Sequence, residues 1–501
     1  MTAALQAVDS GVNSVIIVEK GGSTGGNTSR ATGGMNAAKT AYQDKNEWSD
    51  ATTTAVEKTI ATAKEKYGDK IGDLIATVEA QFEAYKANPT GYFDSVELFA
   101  LDTMVGGKCL NNLDLVMTLT GNSAEAIDWL ATKDAHLTNV GSFGGASVKR
   151  IHRATTEDGK TTPVGAYLVK VLTADVEAED KIDLRTNTAA TELVMEDGKA
   201  VGVKVKNENG EYTIRAKAVI LAAGGYLGNR DLQERFLHTR KLNVARGGDS
   251  ICTGDTILAA EKAGAALEKT YGYCPCEYGG THANASRPAK QDKFDQNTAF
   301  KFGLYGCLLV DAEGKRFINE GLLCDYPMSY GSEQILKNSP WYAVVDQAYV
   351  DAMSTQGLYN YTTAKGATEE TWFIGNYFKD RILENLPADI EEGIEEGWCF
   401  KADTLEELAE HFGLDELPQT VAQYNEFCDA GADAEFGANP WYLSKVATPP
   451  FYVTENEPSA WSTFGGVRID DCCRVLSAET NDPIPGLYAA GTDAGSLYYS
   501  P

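Results

Sequence analysis

Three short apolar runs constrain this chain more than anything else in it. VIIVEK (residues 15–20), AVILAAGG (218–225) and GLYAAG (486–491) each read as a buried strand that ends in glycine or a carboxylate. Continuous apolar runs of this length belong to parallel sheets covered on both faces. They lie far apart in sequence. A doubly wound sheet with strands so scattered has another domain inserted into it. The expected fold class is α/β, with a split doubly wound domain and an inserted α+β domain.

The rest of the chain fits this outline. Residues 3–10 read as a short Ala-rich helix. Residues 41–90, rich in Ala, Glu and Lys with apolar residues at helical spacing, read as a surface helical excursion, and 112–135 continue as helices. Hairpins are expected to turn at Glu196-Asp197-Gly198 and at Asn209-Gly210. TGDTILAAEKAGAAL (253–267) is an amphipathic helix entered at Asp255. Aromatics, glycines and acidic helices fill the middle segment, after which short strands return. The expected divisions are 1–274 (first part of the doubly wound domain), 275–445 (inserted domain) and 446–501 (its second part).

Charge narrows the function classes. The 501 residues carry a formal net charge of −28. Nucleic-acid binding is not expected, because phosphate neutralisation needs clustered Lys and Arg. The acidity itself reads as a solubility feature. No apolar run approaches the ~20 residues of a membrane span, and no signal peptide is visible, which leaves a cytoplasmic or exported destination equally open. Among ten cysteines, only Cys274-Pro275-Cys276 and Cys472-Cys473 are close pairs. Neither has the spacing of a zinc or iron–sulfur site, so no metal is expected.

Glu19 ends the first apolar run. In dinucleotide-binding folds a carboxylate at the end of the second parallel strand accepts from the ribose hydroxyls, although a strand-end acid can also be no more than a polar terminus. The run that follows, GGSTGGNTSRATGGMNA, weights the first reading. Its glycines allow positive φ and close approach of backbone to a ligand, and Asn27, Thr28, Ser29 and Thr32 add short donors. Such a loop suits a pyrophosphate and a flat heterocycle.

At this point the residues carry a resemblance. VIIVEK…GGNTSRATGGMNA, DSVELFALDTMVGGKCLNN, GGASVKRIHR, AKAVILAAGGY, TGDTILAAEKAGA, EGKRFINE and PIPGLYAAG occur in this order. Together they resemble the flavoprotein subunits of the fumarate reductase/succinate dehydrogenase superfamily, most of all its flavocytochrome c and urocanate reductase branch, with 3-ketosteroid dehydrogenases as cousins. The resemblance spans essentially the whole chain. It implies FAD, a Rossmann-like FAD-binding domain split in sequence, and a capping domain that carries substrate. It places FAD contacts at Glu19, Asn27, Thr28, Thr32, Gly33, Ala190 and Asp255. The glutamate expected just after GLYAAG is replaced by Thr492, with Asp493 next. It also implies a strand and Gly-rich turn ahead of Thr2 and a further Gly-rich stretch beyond GLYAAG, so both termini read as truncated.

The same resemblance implies a reaction. Hydride from reduced flavin reaches one carbon of an activated C=C bond, and an acid protonates the other. Where fumarate reductases place an arginine acid, this chain has Cys324. Cys276 and Trp461-Ser462 stand where histidines are expected. Without those cations a dicarboxylate is poorly held. Tyr271, Tyr273, Tyr305, Tyr326, Tyr330 and Trp461 suit a flatter, less charged substrate. Tyr326 is the expected acid, with Cys324 behind it; any one tyrosine can equally be packing. Arg150, His152 and Arg153 face either the flavin or a structural salt bridge. The expected function is FAD-dependent reduction of a small non-dicarboxylate substrate. The alternatives are a 3-ketosteroid-type Δ-dehydrogenase and a flavin-free, non-catalytic fragment. Lacking a haem-attachment CxxCH, the chain needs electrons from a cytochrome, a flavin carrier or a separate subunit.

Overall fold

The computed structural model describes residues 1–31, 33–142, 145–156, 159, 161–244, 251–282, 306–324, 331–357, 382–397 and 399–497. The chain divides into two compact units. Met1–His238, Gly248–Cys274 and Ser462–Pro501 make the first; Thr239–Gly247 and Pro275–Trp461 make the second.

In the first unit, α1 (Thr2–Asp9) leads into β1 (Val15–Val18). After the glycine loop come β2 (Met35–Asn36) and the long α2 (Asp50–Ala87). The sequence pattern predicts one helical excursion here, and the structure folds it back on itself. Ile71 leaves helical geometry at φ −133°, ψ 32°. Lys64 then meets Glu79, and Lys86 Nζ lies 3.1 Å from Glu57 Oε1, so the two halves run antiparallel. Helices α3 (Val96–Gly106), α4 (Leu113–Gly121) and α5 (Ser123–Thr132) follow. The Ser95 hydroxyl caps α3 by accepting from Leu98 N at 2.9 Å.

Two small strands follow, β3 (Asn139–Gly141) and β4 (Ile151–Arg153), and β4 lies between β2 and β3, antiparallel to both. Next come α6 (Val164–Ala178) and β5 (Ile182–Arg185). Strand β5 runs parallel to β1, with Val15 opposite Ile182 and Val18 opposite Arg185. Strands β6 (Ala189–Glu196), β7 (Lys199–Asn207) and β8 (Gly210–Arg215) form an antiparallel meander. Its first turn is made by Asp197 (φ 48°) and Gly198 (φ 76°), the left-handed pair a two-residue hairpin requires. Strand β9 (Val219–Leu221), α7 (Arg230–Leu237) and, after an excursion through the second unit, α8 (Asp255–Lys262) complete this part.

The second unit is built on one sheet. Its strands are β10 (Asn243–Val244), β11 (Gly272–His282), β12 (Leu308–Val310), β13 (Trp341–Asp346), β14 (Cys399–Ala402) and β15 (Phe451–Phe464), with β15 the hub. The helices are α9 (Gly321–Cys324), α10 (Ser332–Lys337), α11 (Gln347–Thr355), α12 (Leu386–Glu396), α13 (Leu405–Phe412) and α14 (Leu417–Ala430). Leu308, Val344 and Val453 of the sheet pack on Leu408, Leu417 and Val421 of α13 and α14.

The chain then returns to the first unit with β16 (Arg474–Leu476) and β17 (Pro483–Ala489). Strand β17 runs parallel to β9, with Ala489 opposite Leu221. The three runs that framed the sequence reading are thus β1, β9 and β17, all in one unit. They are less enclosed than expected. Ile16 in β1 is 37% exposed and Ile220 in β9 is 47% exposed. The reason is one-sided cover. Ile17, Ile182 and Leu184 face Leu5, Leu172 and Val176 of α1 and α6, and Leu221 faces the cluster containing Ala260 and Val475. Ile16 and Ile220 point the other way. Among the described residues each of β1 and β9 also has a partner on one edge only.

Candidate functional site

Parallel strands present their carboxyl ends to ligands, and here those ends converge on one turn. Two residues past β1, Lys20 Nζ donates to Thr253 Oγ1 at 2.5 Å and to Asp255 Oδ2 at 2.7 Å. Past β9, the Gly225 carbonyl accepts from Gly254 N at 3.0 Å. The Thr253-Gly254-Asp255 turn therefore joins the two strands. Gly254 has φ 77°, and a Cβ there would lie 2.4 Å from Leu232 Cδ1. Only glycine both takes that conformation and leaves that space.

Glu19 sits at the end of β1, half-buried. Its Oε1 accepts from Gly21 N at 2.6 Å, and its backbone is held by Arg185 and Thr188. Its Oε2 takes no bond among the described residues, so an acceptor is left over at the strand end. The loop beyond it is polar and incompletely covered. Asn27 is half-buried and Thr28 exposed in the single turn Gly26–Arg30, and the Gly33 carbonyl accepts from Arg153 Nε at 2.7 Å. Ala190 is half-buried in β6, opposite Val205. Asp255 starts α8, but Lys20 and Thr253 occupy both its oxygens. Thr32 and Tyr326 lie outside the described residues, as do Tyr305 and Tyr330. Cys324 ends α9 and Cys276 lies in β11; their side chains are not described.

Asp493 is the residue that sequence reasoning undervalued. It lies in the turn Gly491–Asp493 after β17 and is fully buried. Its Oδ2 accepts from Ala223 N and from Thr256 Oγ1, each at 2.7 Å, and its Oδ1 from Gly225 N at 2.9 Å. Burial raises its pKa above the ordinary carboxylate range, against the pull of those donors. Its only sequence signal is an isolated acid inside a run of Gly and Ala. Lys20, a cation directly after the strand-end acid, carried a signal of the same kind.

The basic motif VKRIHR resolves residue by residue. Arg150 is enclosed by carboxylates: Nη2 donates to Asp94 Oδ1 at 2.7 Å and Nη1 to Asp102 Oδ2 at 2.6 Å. It is a structural ion pair tying β4 to the segment around α3. His152 bonds the Thr40 hydroxyl at 2.6 Å and the Arg150 carbonyl at 2.8 Å; burial lowers its pKa, which favours the neutral ring. Arg153 sends its side chain to the glycine loop, donating from Nε to the Gly33 carbonyl.

Two other features lie apart from the strand ends. A shallow hollow of about 420 Å³ is bounded by Arg235, Phe236, Glu261, Glu268 and Tyr271. Arg235 and Glu261 pair across it with Nη1–Oε2 at 2.8 Å. Among the described residues, Asp470, Asp471 and Cys472 bring three possible metal donors within 4.8 Å of one another on an exposed turn. Asp470 there accepts from Cys472 N, Arg474 N and Arg474 Nε.

The donor set fits FAD. It offers a spare carboxylate oxygen at a parallel-strand end, a half-buried glycine loop beside it and short polar side chains along that loop. Comparison with known proteins agrees. The model of the family described as "FAD binding domain" matches residues 1–92 and 79–499. The NADH:acrylate oxidoreductase of Vibrio harveyi is 31% identical over 99% of this chain and 46% of its own length. The vinyl phenol reductase of Lactiplantibacillus plantarum is 30% identical over 75% of this chain and 73% of its own. The open conformation of a flavocytochrome c3 fumarate reductase superposes with a TM-score of 0.65 at 24% identity, covering 99% of this chain and 71% of that one. This chain thus spans about half the length of the acrylate oxidoreductase. No helix among the described residues is long and apolar enough to cross a membrane. The chain belongs to the FAD-binding domain family, and FAD is the cofactor that membership implies.

Proposed function

We propose that this member of the FAD-binding family is an oxidoreductase that reduces the activated C=C bond of a small, non-dicarboxylate substrate. The observation that carries the reading is the convergence of β1 and β9 on the Thr253–Asp255 turn, with the Glu19 carboxylate free on one oxygen beside a half-buried glycine loop. FAD, when bound, supplies the hydride. Glu19 accepts from the ribose hydroxyls. Asn27, Thr28, Thr32 and Gly33 line the pyrophosphate and flavin, and the Ala190 backbone meets the adenine. Asp255, held by Lys20 and Thr253 at the start of α8, turns its remaining lone pairs to the cofactor. Tyr326, with Cys324 behind it, donates the proton to the substrate carbon.

The relatives support the reaction class. One is named for acrylate, one for vinyl phenol and one for fumarate, all alkenes conjugated to a carbonyl or an aryl ring. Cys324, Cys276 and Trp461-Ser462 stand where cations would grip a dicarboxylate, which favours the first two kinds of substrate over the third. Electrons come from a separate cytochrome, flavin carrier or subunit.

The test starts from the purified chain. After incubation with FAD and removal of free cofactor, oxidised-flavin bands in the visible spectrum are expected. The photoreduced protein is then mixed without oxygen with 4-vinylphenol, acrylate, fumarate or a 3-oxosteroid enone. Reoxidation by vinylphenol or acrylate, and not by fumarate, is expected. Fastest reoxidation by fumarate, or turnover only of saturated steroids with an electron acceptor, would overturn the substrate class. A protein that stays colourless would overturn the flavoenzyme reading for this chain.

A further inference from the structure

We infer that Asp493 is a positioning residue of the FAD site, acting as a built-in anion; the inference rests on the flavoprotein reading above. Gly224 and Gly225 have φ of 93° and 82°. In this turn the amides of Ala223 and Gly225, two residues apart, converge on one carboxylate, and a turn that gathers backbone amides in this way is an anion-binding nest. The first turn of α8 adds its own partial positive charge and the Thr256 hydroxyl. Nest and helix start together form the kind of site that holds a phosphate elsewhere. Here the Asp493 carboxylate fills it, taking the amides of Ala223 and Gly225 and the Thr256 hydroxyl.

Two consequences follow from that occupancy. The carboxylate fastens three segments that are distant in sequence: the AAGG turn after β9, the start of α8 and the turn after β17. The Asp493 carbonyl adds a fourth, accepting from Val467 N at 2.9 Å. Gly466 permits this approach, since a Cβ there would stand 2.2 Å from that carbonyl oxygen. Moreover, with a negative charge already in the nest, cofactor phosphates are repelled from the AAGG turn and directed to the glycine loop after β1. Asp493 thus sets where the dinucleotide lies without touching it.

The experiment is removal and chemical replacement of the carboxylate. Asp493→Gly and Asp493→Asn are compared with the unaltered chain by FAD titration, at a temperature where circular dichroism shows all three folded. Both variants are expected to bind FAD about tenfold or more weakly, the loss typical of a charged hydrogen-bonding partner. Sodium formate, the same carboxylate untethered, is expected to restore part of the affinity of Asp493→Gly and to leave the unaltered chain unmoved. A residue of purely structural importance would lower the melting temperature and leave affinity intact in the folded state. Unchanged FAD affinity in either variant, or a Gly variant indifferent to formate, would overturn the inference. Should Asp493→Gly not fold, the Asn variant decides alone. Should the unaltered chain bind no FAD, the flavoprotein reading fails, and formate-dependent elevation of the Asp493→Gly melting temperature still decides whether the nest needs an anion.

Discussion

Glu19 and Asp255 look alike in the sequence, two acids next to glycine-rich turns, yet the structure gives them different work. Glu19 keeps an oxygen uncommitted, whereas Asp255 spends both on Lys20 and Thr253. Glu19→Gln should therefore weaken FAD binding about tenfold with little change in melting temperature, as isothermal titration and a thermal scan would read. A second residue-scale prediction concerns the buried group in the inserted unit, where Arg316 bridges Glu320 and Asp433. Burial disfavours ionised Asp433, but Arg316 and the amides of Ala438 and Phe436 overcome it and hold the carboxyl at about 2. Since the folded-state pKa lies below the unfolded one, the stabilisation is complete above the unfolded pKa and disappears as pH falls through about 2. It amounts to about 2 kcal/mol. Glu320 acts in the opposite sense, because burial raises its pKa. Comparing urea unfolding of the unaltered chain and Asp433→Asn across pH 2–6 isolates the Asp433 part; identical slopes would refute it. Neither carboxylate's partner was legible in the sequence, because Asp433 meets Arg316 across 117 positions and Asp493 accepts from the Gly225 amide across 268. Spacing rules reach one helical turn or one hairpin, not that far.

At the scale of elements the sequence was a better guide. The helix 2–9, the hairpin turn at Asp197-Gly198, the helix opening at Asp255 and the glycine-ended strands all stand where periodicity and turn chemistry put them. The failures share a cause. Ile71 breaks α2 between Gly68 and Gly72, a glycine signal that apolar periodicity passes over, and the two arms then pair, as Lys86 with Glu57. Strand β1 is apolar throughout, so its sequence implies cover on both faces, but cover depends on which neighbours arrive. The AAGG turn gives the sharpest element-level prediction. Gly225 has φ 82°, and a Cβ there would meet Thr463 Oγ1 at 2.5 Å and Thr492 Cγ2 at 2.8 Å. Gly225→Ala should cost about 2 kcal/mol or more through left-handed strain and overlap together. The expected result is a clear fall in the thermal midpoint together with loss of FAD retention on gel filtration. A variant as stable as its parent would mean that the turn tolerates a side chain.

For the molecule as a whole, composition and fold pull in opposite directions. Among the described residues β1 and β9 each leave one edge without a strand partner, beside an exposed isoleucine, and such an edge offers backbone amides and carbonyls to a passing strand. Nothing local guards them: no proline interrupts either strand, and Ile16 and Ile220 stand where a lysine would repel a neighbour. The guard is global, a net charge of −28 that keeps copies apart by mutual repulsion. Repulsion of that kind weakens with ionic strength, since the screening length falls to about 8 Å near 0.15 M salt and about 3 Å at 1 M. Light scattering should therefore show association that increases with added sodium chloride, and Ile16→Lys with Ile220→Lys should suppress it. Association that salt dissolves instead would point to ion pairing between copies. With association that increases with salt, the acidity that tells so little about catalysis is the chain's colloidal stabiliser, and low-salt buffer is the medium in which to keep it monodisperse.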